Sequence, residues 1–342
     1  MRSDEIKQGV ARAPHRSLLR ALGVSDDEME RPFIGVANSF SEVVPGHIHL
    51  RSIVDAVKAG VHSAGGTPFE FGVMGVCDGI AMNHRGMHYS LPSRELIADS
   101  LEIMATSHPF DGLVLMASCD KIIPGMLMAA ARLNIPAIMV NGGPMYPGNF
   151  KGSMIAGYKV MEIEPERQAG RMTQEDALEY ENAACPTCGS CAMLGTANTM
   201  ACLAEAMGMA LPGAGTIPAT VAERRRLVYQ SGLQIMKLIN KGITARDIIT
   251  EKGMENAIRL ILAIGGSTNA FLHVPAIAYE AGLKNITLDN FDQLSRTTPH
   301  IAGLMPATQF DVVTFGQAGG VQAVLKELEP LLHPDHLTVT GH

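Results

Sequence analysis

Tryptophan is absent from this chain of 342 residues, and aromatic side chains of all kinds make up 5% of it. Bulk in the core must therefore come from aliphatic residues and from methionine, of which there are 21. Charge is sparse as well, at 18% of residues, and leans acidic, with a net of -7. A surface of that sign argues against nucleic acid as the main partner, because phosphate binding wants a basic face. Small molecules suit it better. No apolar run approaches the roughly 20 residues that cross a bilayer, so no membrane partner is expected. Met1 to His15 include Arg2, Asp4, Glu5 and Lys7 and lack the apolar stretch of a secretory leader. A cytoplasmic protein is the expectation, and in that compartment clustered cysteines are more often metal ligands or catalytic groups than disulfides.

Short β-type runs alternate with helical ones over the first 150 residues. Phe33–Ala37, Phe69–Met74, Gly112–Met116 and Ala137–Val140 read as strands, and about Leu50–Ser63, Ser93–Thr106 and Gly125–Leu133 as the helices between them. Continuous apolar strands joined by crossover helices predict a parallel sheet covered on both faces, a three-layer, doubly wound α/β fold. Beyond Gly148 the pattern turns mostly helical, near Gln174–Ala183, Ala192–Met209, Ala219–Leu238, Ala245–Ile249 and Glu255–Ala263. Residues 1–150 thus read as the sheet part and 151–336 as a helical part packed on it, while Leu337–His342 reads as the start of a fresh strand. Glu223-Arg224-Arg225-Arg226 reads as a solvated helix face.

In such sheets ligands gather beyond the carboxyl ends of the strands. The unusual residues lie there: Asn38-Ser39-Phe40, Cys77-Asp78-Gly79, Cys119-Asp120-Lys121 and Asn141-Gly142-Gly143. Cys185, Cys188 and Cys191 stand in Cys-x2-Cys-x2-Cys spacing, the kind of run that wraps an iron–sulfur cluster. With Cys119 they equally suit a closed four-thiolate zinc site, and plain packing stays open. Thiolates are soft ligands and the carboxylates of Asp78 and Asp120 hard ones, so two unlike metals near one pocket are the expectation, Mg²⁺ being the hard one. The two carboxylates meet if their strands are neighbours. Lys121 either pairs with an acid or, desolvated, loses its proton and becomes a nucleophile or a modified ligand. Cys202, inside an apolar helix, reads as packing. Cys77 reads as either packing or site. Gly265-Gly266-Ser267-Thr268-Asn269 precedes a helix whose free N–H groups can hold a carboxylate, which makes Ser267 and Thr268 candidate substrate contacts.

Several of these stretches resemble signatures of the dihydroxy-acid/6-phosphogluconate dehydratase family. They are Cys119-Asp120-Lys121-x-x-Pro124-Gly125, Cys188-Gly189-Ser190-Cys191 with Thr196-Ala197-Asn198-Thr199-Met200, Asn38-Ser39-Phe40, Val44-Pro45-Gly46-His47, Gly265-Gly266-Ser267-Thr268-Asn269 and Ala318-Gly319-Gly320-Val321. Ser90-Leu91-Pro92-Ser93-Arg94-Glu95 favours the branched-chain amino-acid branch of that family over its sugar-acid branches. The resemblance implies a hydro-lyase that takes water from 2,3-dihydroxy-3-methylbutanoate and its one-carbon-longer homologue to give 2-keto acids.

It also implies cofactors and ligands. Cys119 and Cys191 match the family's cluster ligands, Asp78 and Asp120 its magnesium ligands, and Lys121 the lysine that relatives carry as a carbamate. Many relatives have a third cluster cysteine where this chain has Gly46. The cluster type, [2Fe–2S] or [4Fe–4S], therefore stays open, with Cys188 or Cys185 expected to supply the missing thiolate. A further magnesium ligand and the catalytic base are expected in a carboxyl-terminal β-barrel domain beyond residues 337–342. Residues 1–342 alone are then expected not to turn over, and a homodimer is implied.

Overall fold

Three of the four apolar runs are buried along their whole length, which is what strands of a parallel sheet covered on both faces require. The computed structural model describes residues 1–342. The strands are β1 (Phe33–Asn38), β2 (Thr67–Gly72), β3 (Gly112–Ala117) and β4 (Ala137–Asn141), all parallel and ordered β2-β1-β3-β4. Three short helices precede them: α1 (Asp4–Lys7), α2 (Ala13–Ala21) and α3 (Asp26–Met29). Helix α4 (Leu50–Ser63) joins β1 to β2, α5 (Asp78–Ala81) and α6 (Ser90–Ser107) lie between β2 and β3, and α7 (Ile122–Leu133) joins β3 to β4.

The order dictates the layers. The step from β1 to β2 runs one way across the sheet and the step from β2 to β3 runs back over β1. Right-handed crossovers then put α4 on one face and α6 on the other. The step from β3 to β4 continues in the second direction, so α7 joins α6, against which it packs.

After a two-stranded hairpin, β5 (Gly148–Phe150) and β6 (Ser153–Ile155), the chain is helical: α8 (Ile163–Gln168), α9 (Gln174–Ala183), α10 (Thr196–Ala206), α11 (Ala222–Lys241), α12 (Ala245–Ile248), α13 (Glu251–Ala263), α14 (Ala270–Ala281), α15 (Leu288–Ser295), α16 (Val312–Gln317) and α17 (Gly320–Glu327). Helix α11 packs on α4 and so completes that layer, while α14 packs on α7. The outer edge of β4 is closed by the segment after α10, where Met139 N donates to Met209 O at 2.8 Å. One apolar core takes in Val36, Leu115 and Met139 of the sheet together with Met200, Ile258 and Val274 of the later helices. Met116, Met126, Met207 and Met254 are buried in it, the filling role expected of methionine. No helix is long and apolar enough to cross a membrane.

Two expectations are corrected. Leu337–His342 forms no strand. The hydroxyls of Thr338 and Thr340 bond each other at 2.7 Å, and Gly341 N closes a turn onto Thr338 O. Local hydroxyl bonding there outweighs the β preference of the side chains. Nor is Arg224 solvated: it is buried, its guanidinium donating to the carbonyls of Asn141 at 2.8 Å, Ala214 at 3.1 Å and Ile217. Those carbonyls lie at the end of β4 and in the turn after α10, where no backbone N–H reaches them.

Candidate functional site

The strand order reverses between β1 and β3. Helix α4, after β1, and helix α7, after β3, depart from there to opposite faces, so the loops after the strands part and leave a crevice. The buried imidazole of His47 laces that crevice together. Its Nδ1 lies 2.7 Å from Ser39 O, after β1, and its Nε2 accepts from Ser118 N, after β3, at 3.1 Å. Burial holds the ring neutral, its pKa lowered to about 4. Ser118 Oγ in turn accepts from Gly142 N, after β4, at 3.0 Å. The loops after β1, β3 and β4 are therefore one construction.

Asp78 and Asp120 meet, although by another route than the one expected. Their strands, β2 and β3, are not neighbours, since β1 lies between them. The segment after β2 instead crosses the end of β1: Val73 N donates to Asn38 O, and a Cβ at Gly75 would lie 3.3 Å from His47 Nδ1 and 3.5 Å from Ile122 Cγ1. That crossing delivers Asp78 to the start of α7. Lys121 Nζ donates to Asp78 Oδ2 at 2.5 Å and stands 3.6 Å from Asp120 Oδ2. Ser90 Oγ, at the start of α6, donates to Asp78 Oδ1 at 2.5 Å. Burial and the negative charge of Asp78 push Asp120 up to about 6, against the opposing pull of Lys121 and a hydrogen bond from Thr196.

The soft ligands flank this array. Cys119 immediately precedes Asp120, and its thiol pKa is pushed well up by burial and then by Cys191, Asp120, Cys77 and Asp78. Cys191 is pushed up to about 12 by burial, then by Asp120, Cys185 and Cys77. Cys119 is half-buried and Cys191 exposed as residues. Room for Cys119 depends on Gly46, where a Cβ would lie 2.7 Å from its Sγ. The Cys191 loop is pinned by Asn198 of α10, whose Nδ2 donates to the carbonyls of Cys191 and, at 2.7 Å, Met193. Gly189, at φ +129, lets it pass, because a Cβ there would meet Met145 N at 2.4 Å.

The structure therefore brings Cys119, Cys191, Asp78, Asp120 and Lys121 together, and adds Cys77. Cys188 points elsewhere. It lines a separate cavity with His49, Ser52 and Arg225, and no other thiol perturbs it. Cys185 is exposed beside Gly157, and Cys202 is buried in α10 against Gly215. No three His, Cys, Asp or Glu side chains converge on a single point; Lys121 Nζ sits between the carboxylates. Sheer volume does not mark the site, for the cavity of about 580 Å³ between α4 and α11 is lined by Asp55, Arg226 and Tyr229 without any such set.

Ser267 lies beside the array, next to a residue that sequence reasoning quoted only within a family signature. Thr196 Oγ1, whose hydroxyl acts on Asp120, lies 3.0 Å from Ser267 Oγ and accepts from Asn269 Nδ2 at 2.7 Å. Thr268, in the same turn, stands at the entry to α14. Ser90, Arg94 and Thr196 were read only as parts of family signatures and His273 not at all, because each is an ordinary helical residue whose partner lies on another element.

The family model described as "Dihydroxy-acid/6-phosphogluconate dehydratase N-terminal" matches residues 31–342. The chain belongs to the dihydroxy-acid/6-phosphogluconate dehydratase family. Proteins named dihydroxy-acid dehydratase from Pyrococcus furiosus, Caldanaerobacter subterraneus and Moorella thermoacetica are 57%, 56% and 54% identical to it over 99–100% of its residues. The chain spans 62% of the length of each of these curated relatives. Every residue of the array, from Asp78 to Thr268, falls inside the span matched by this dehydratase family's N-terminal model.

Proposed function

We propose that this chain carries most of the metal ligands of a hydro-lyase that converts 2,3-dihydroxy-3-methylbutanoate and 2,3-dihydroxy-3-methylpentanoate to 2-keto acids, in the biosynthesis of valine and isoleucine. The observation that carries the reading is the meeting of two thiols with an Asp78–Lys121–Asp120 array at one crevice of the sheet. The relatives' names and the Leu91-Pro92-Ser93-Arg94-Glu95 segment support this substrate class over sugar acids.

Cys119 and Cys191 are assigned to an iron–sulfur cluster. Cys77 takes the third place in preference to Cys188, because its charge acts on both of those thiols. Asp78, Asp120 and Lys121, as its carbamate, are assigned to Mg²⁺. The donor set fits, since a carbamate with a divalent cation carries the same net charge as the ammonium it replaces, so the carboxylates stay balanced. Bound there, iron supplies a Lewis acid to the departing C3 hydroxyl, and magnesium a clamp on the carboxylate and C2 hydroxyl.

The protein's own side chains set the geometry. Ser90 fixes one oxygen of Asp78 by a hydrogen bond and the Thr196 hydroxyl lies beside Asp120, leaving the remaining oxygens for the ion. Ser267 and Thr268 are placed to receive the substrate carboxylate. The base that takes the C2 proton is assigned to the part of the relatives beyond this chain, so residues 1–342 alone should not turn over. A cytoplasmic homodimer completes the proposal.

Anaerobic metal and sulfide analysis, together with keto-acid assay of the intact protein on dihydroxy acids and on 6-phosphogluconate, tests the reading. Iron with acid-labile sulfide and activity on the dihydroxy acids is the expected result. Zinc without sulfide, or preference for 6-phosphogluconate, overturns it.

A further inference from the structure

The imidazole of His273 takes no part in anything described above, yet it is fully buried on α14. One edge of its ring meets α6: Arg94 Nη1 lies 3.2 Å from His273 Nδ1 and donates to Leu272 O at 3.2 Å. A guanidinium has donors and no acceptor. Nδ1 is therefore the acceptor, and the neutral ring carries its hydrogen on Nε2. That nitrogen is closed to solvent and has no partner anywhere in the protein. A buried donor in that condition is destabilising. The charged groups that act on the ring are Arg94 of α6, Lys121 at the start of α7 and Asp78 at the start of α5. Arg94 is already spent on Nδ1, and α14 packs on α7, whose head carries Lys121 paired with Asp78, so the open edge belongs with that pair.

We propose that His273 Nε2–H is a positioning donor for a carbamate oxygen on Lys121. The inference rests on the reading of Lys121 given under Proposed function and names the group that would stabilise the modified side chain. With an ammonium at position 121, the Nε2–H faces a side chain that has only donors, and nothing accepts from it. The modification changes this. Lys121 gives up one ammonium proton, and the freed lone pair forms an N–C bond to dissolved CO₂ while a C=O electron pair moves onto oxygen. A second proton then leaves the nitrogen. The products are the carbamate anion and two protons released to solvent, with no change of oxidation state. Asp78, which already accepts from Nζ at 2.5 Å, is the nearest group able to pass those protons on. The carbamate brings two acceptor oxygens into a pocket that holds an unmatched donor.

The test is carbamate formation itself, followed by ¹³C NMR in the intact protein supplied with ¹³C-bicarbonate and Mg²⁺. His273→Phe keeps the ring volume and removes the donor. It should raise the bicarbonate needed for half-occupancy about tenfold or more, as loss of a hydrogen bond to a charged acceptor does. His273→Gln, which retains an N–H, should recover most of the affinity. Wild-type bicarbonate affinity in a folded His273→Phe variant overturns the proposal.

Should His273→Phe fail to fold, ¹⁵N NMR of the wild-type ring decides. The Nε2 signal should shift as the carbamate forms, and an Nε2 signal that stays put during carbamate formation overturns the proposal equally. Absence of any carbamate in the wild type would instead defeat the reading of Lys121 on which the inference stands.

Discussion

The backbone N–H of Ser118 donates to Nε2 of His47 across 3.1 Å, joining the loop after β3 to the loop after β1. The bond exists only while that nitrogen is unprotonated. The folded pKa is lowered to about 4 against an ordinary 6.5. Below 6.5 the unfolded chain takes up a proton that the folded chain refuses. Stability from this residue is thus fully present above pH 6.5, falls as pH drops towards 4, and has gone by then. The loss amounts to about 3 kcal/mol at one pKa unit per 1.36 kcal/mol. Denaturant titrations from pH 7 to pH 4 should show it, and the pH slope should flatten in His47→Gln.

The thiols should divide sharply. Cys119→Ser and Cys191→Ser are expected to abolish retention of iron and sulfide, Cys77→Ser to lower it severalfold, and Cys188→Ser to leave it unchanged, since Cys188 lines a different cavity. Gly46→Ala should resemble a ligand loss, because its Cβ would arrive 2.7 Å from the Cys119 sulfur. Iron and labile sulfide per chain, measured under anaerobic conditions, check all five. Full retention in Cys119→Ser is the result that sinks the assignment.

Thr196→Val removes the hydroxyl that holds Ser267 and Asn269 beside Asp120. Loss of one such polar contact corresponds to about a tenfold effect. Mg²⁺ affinity, read by calorimetry, should weaken by about that factor while the melting temperature moves little. Thr196→Ser should restore it.

Arg224→Met should be costly to stability and indifferent to metal. It would leave the carbonyls of Asn141, Ala214 and Ile217 without their donor, at about 3 kcal/mol or more. A drop in melting temperature without change in the stoichiometry of bound iron is the expected pair of results.

Parts of this fold are legible in the sequence for a physical reason. The runs at Phe33, Gly112 and Ala137 belong to strands buried on both faces, and no polar residue interrupts them. The remaining strand runs from Thr67 to Gly72 rather than from Phe69 to Met74. Pro68 lies within it, and since β2 is an edge strand a missing N–H is tolerated there. Helix α7 starts at Ile122 rather than near Gly125, and Pro124 in its first turn costs no helical bond.

Within the site, unusual residue types could be read directly as ligands. Their supports could not. Ser90, Arg94, Thr196 and His273 gain their roles only when α6, α10 and α14 are brought against one crevice. Arg224 was misjudged because a run of three arginines says nothing of which one faces inward.

Cys119, Asp120 and Lys121 are successive residues of one turn at the head of α7. Sulfur and oxygen donors are neighbours on the backbone there, with no spacer between the two chemistries. Inserting one residue between Cys119 and Asp120 would shift the thiol relative to the carboxylate while every ligand type survived. The length of this turn is therefore under as tight a constraint as the identity of the atoms it carries.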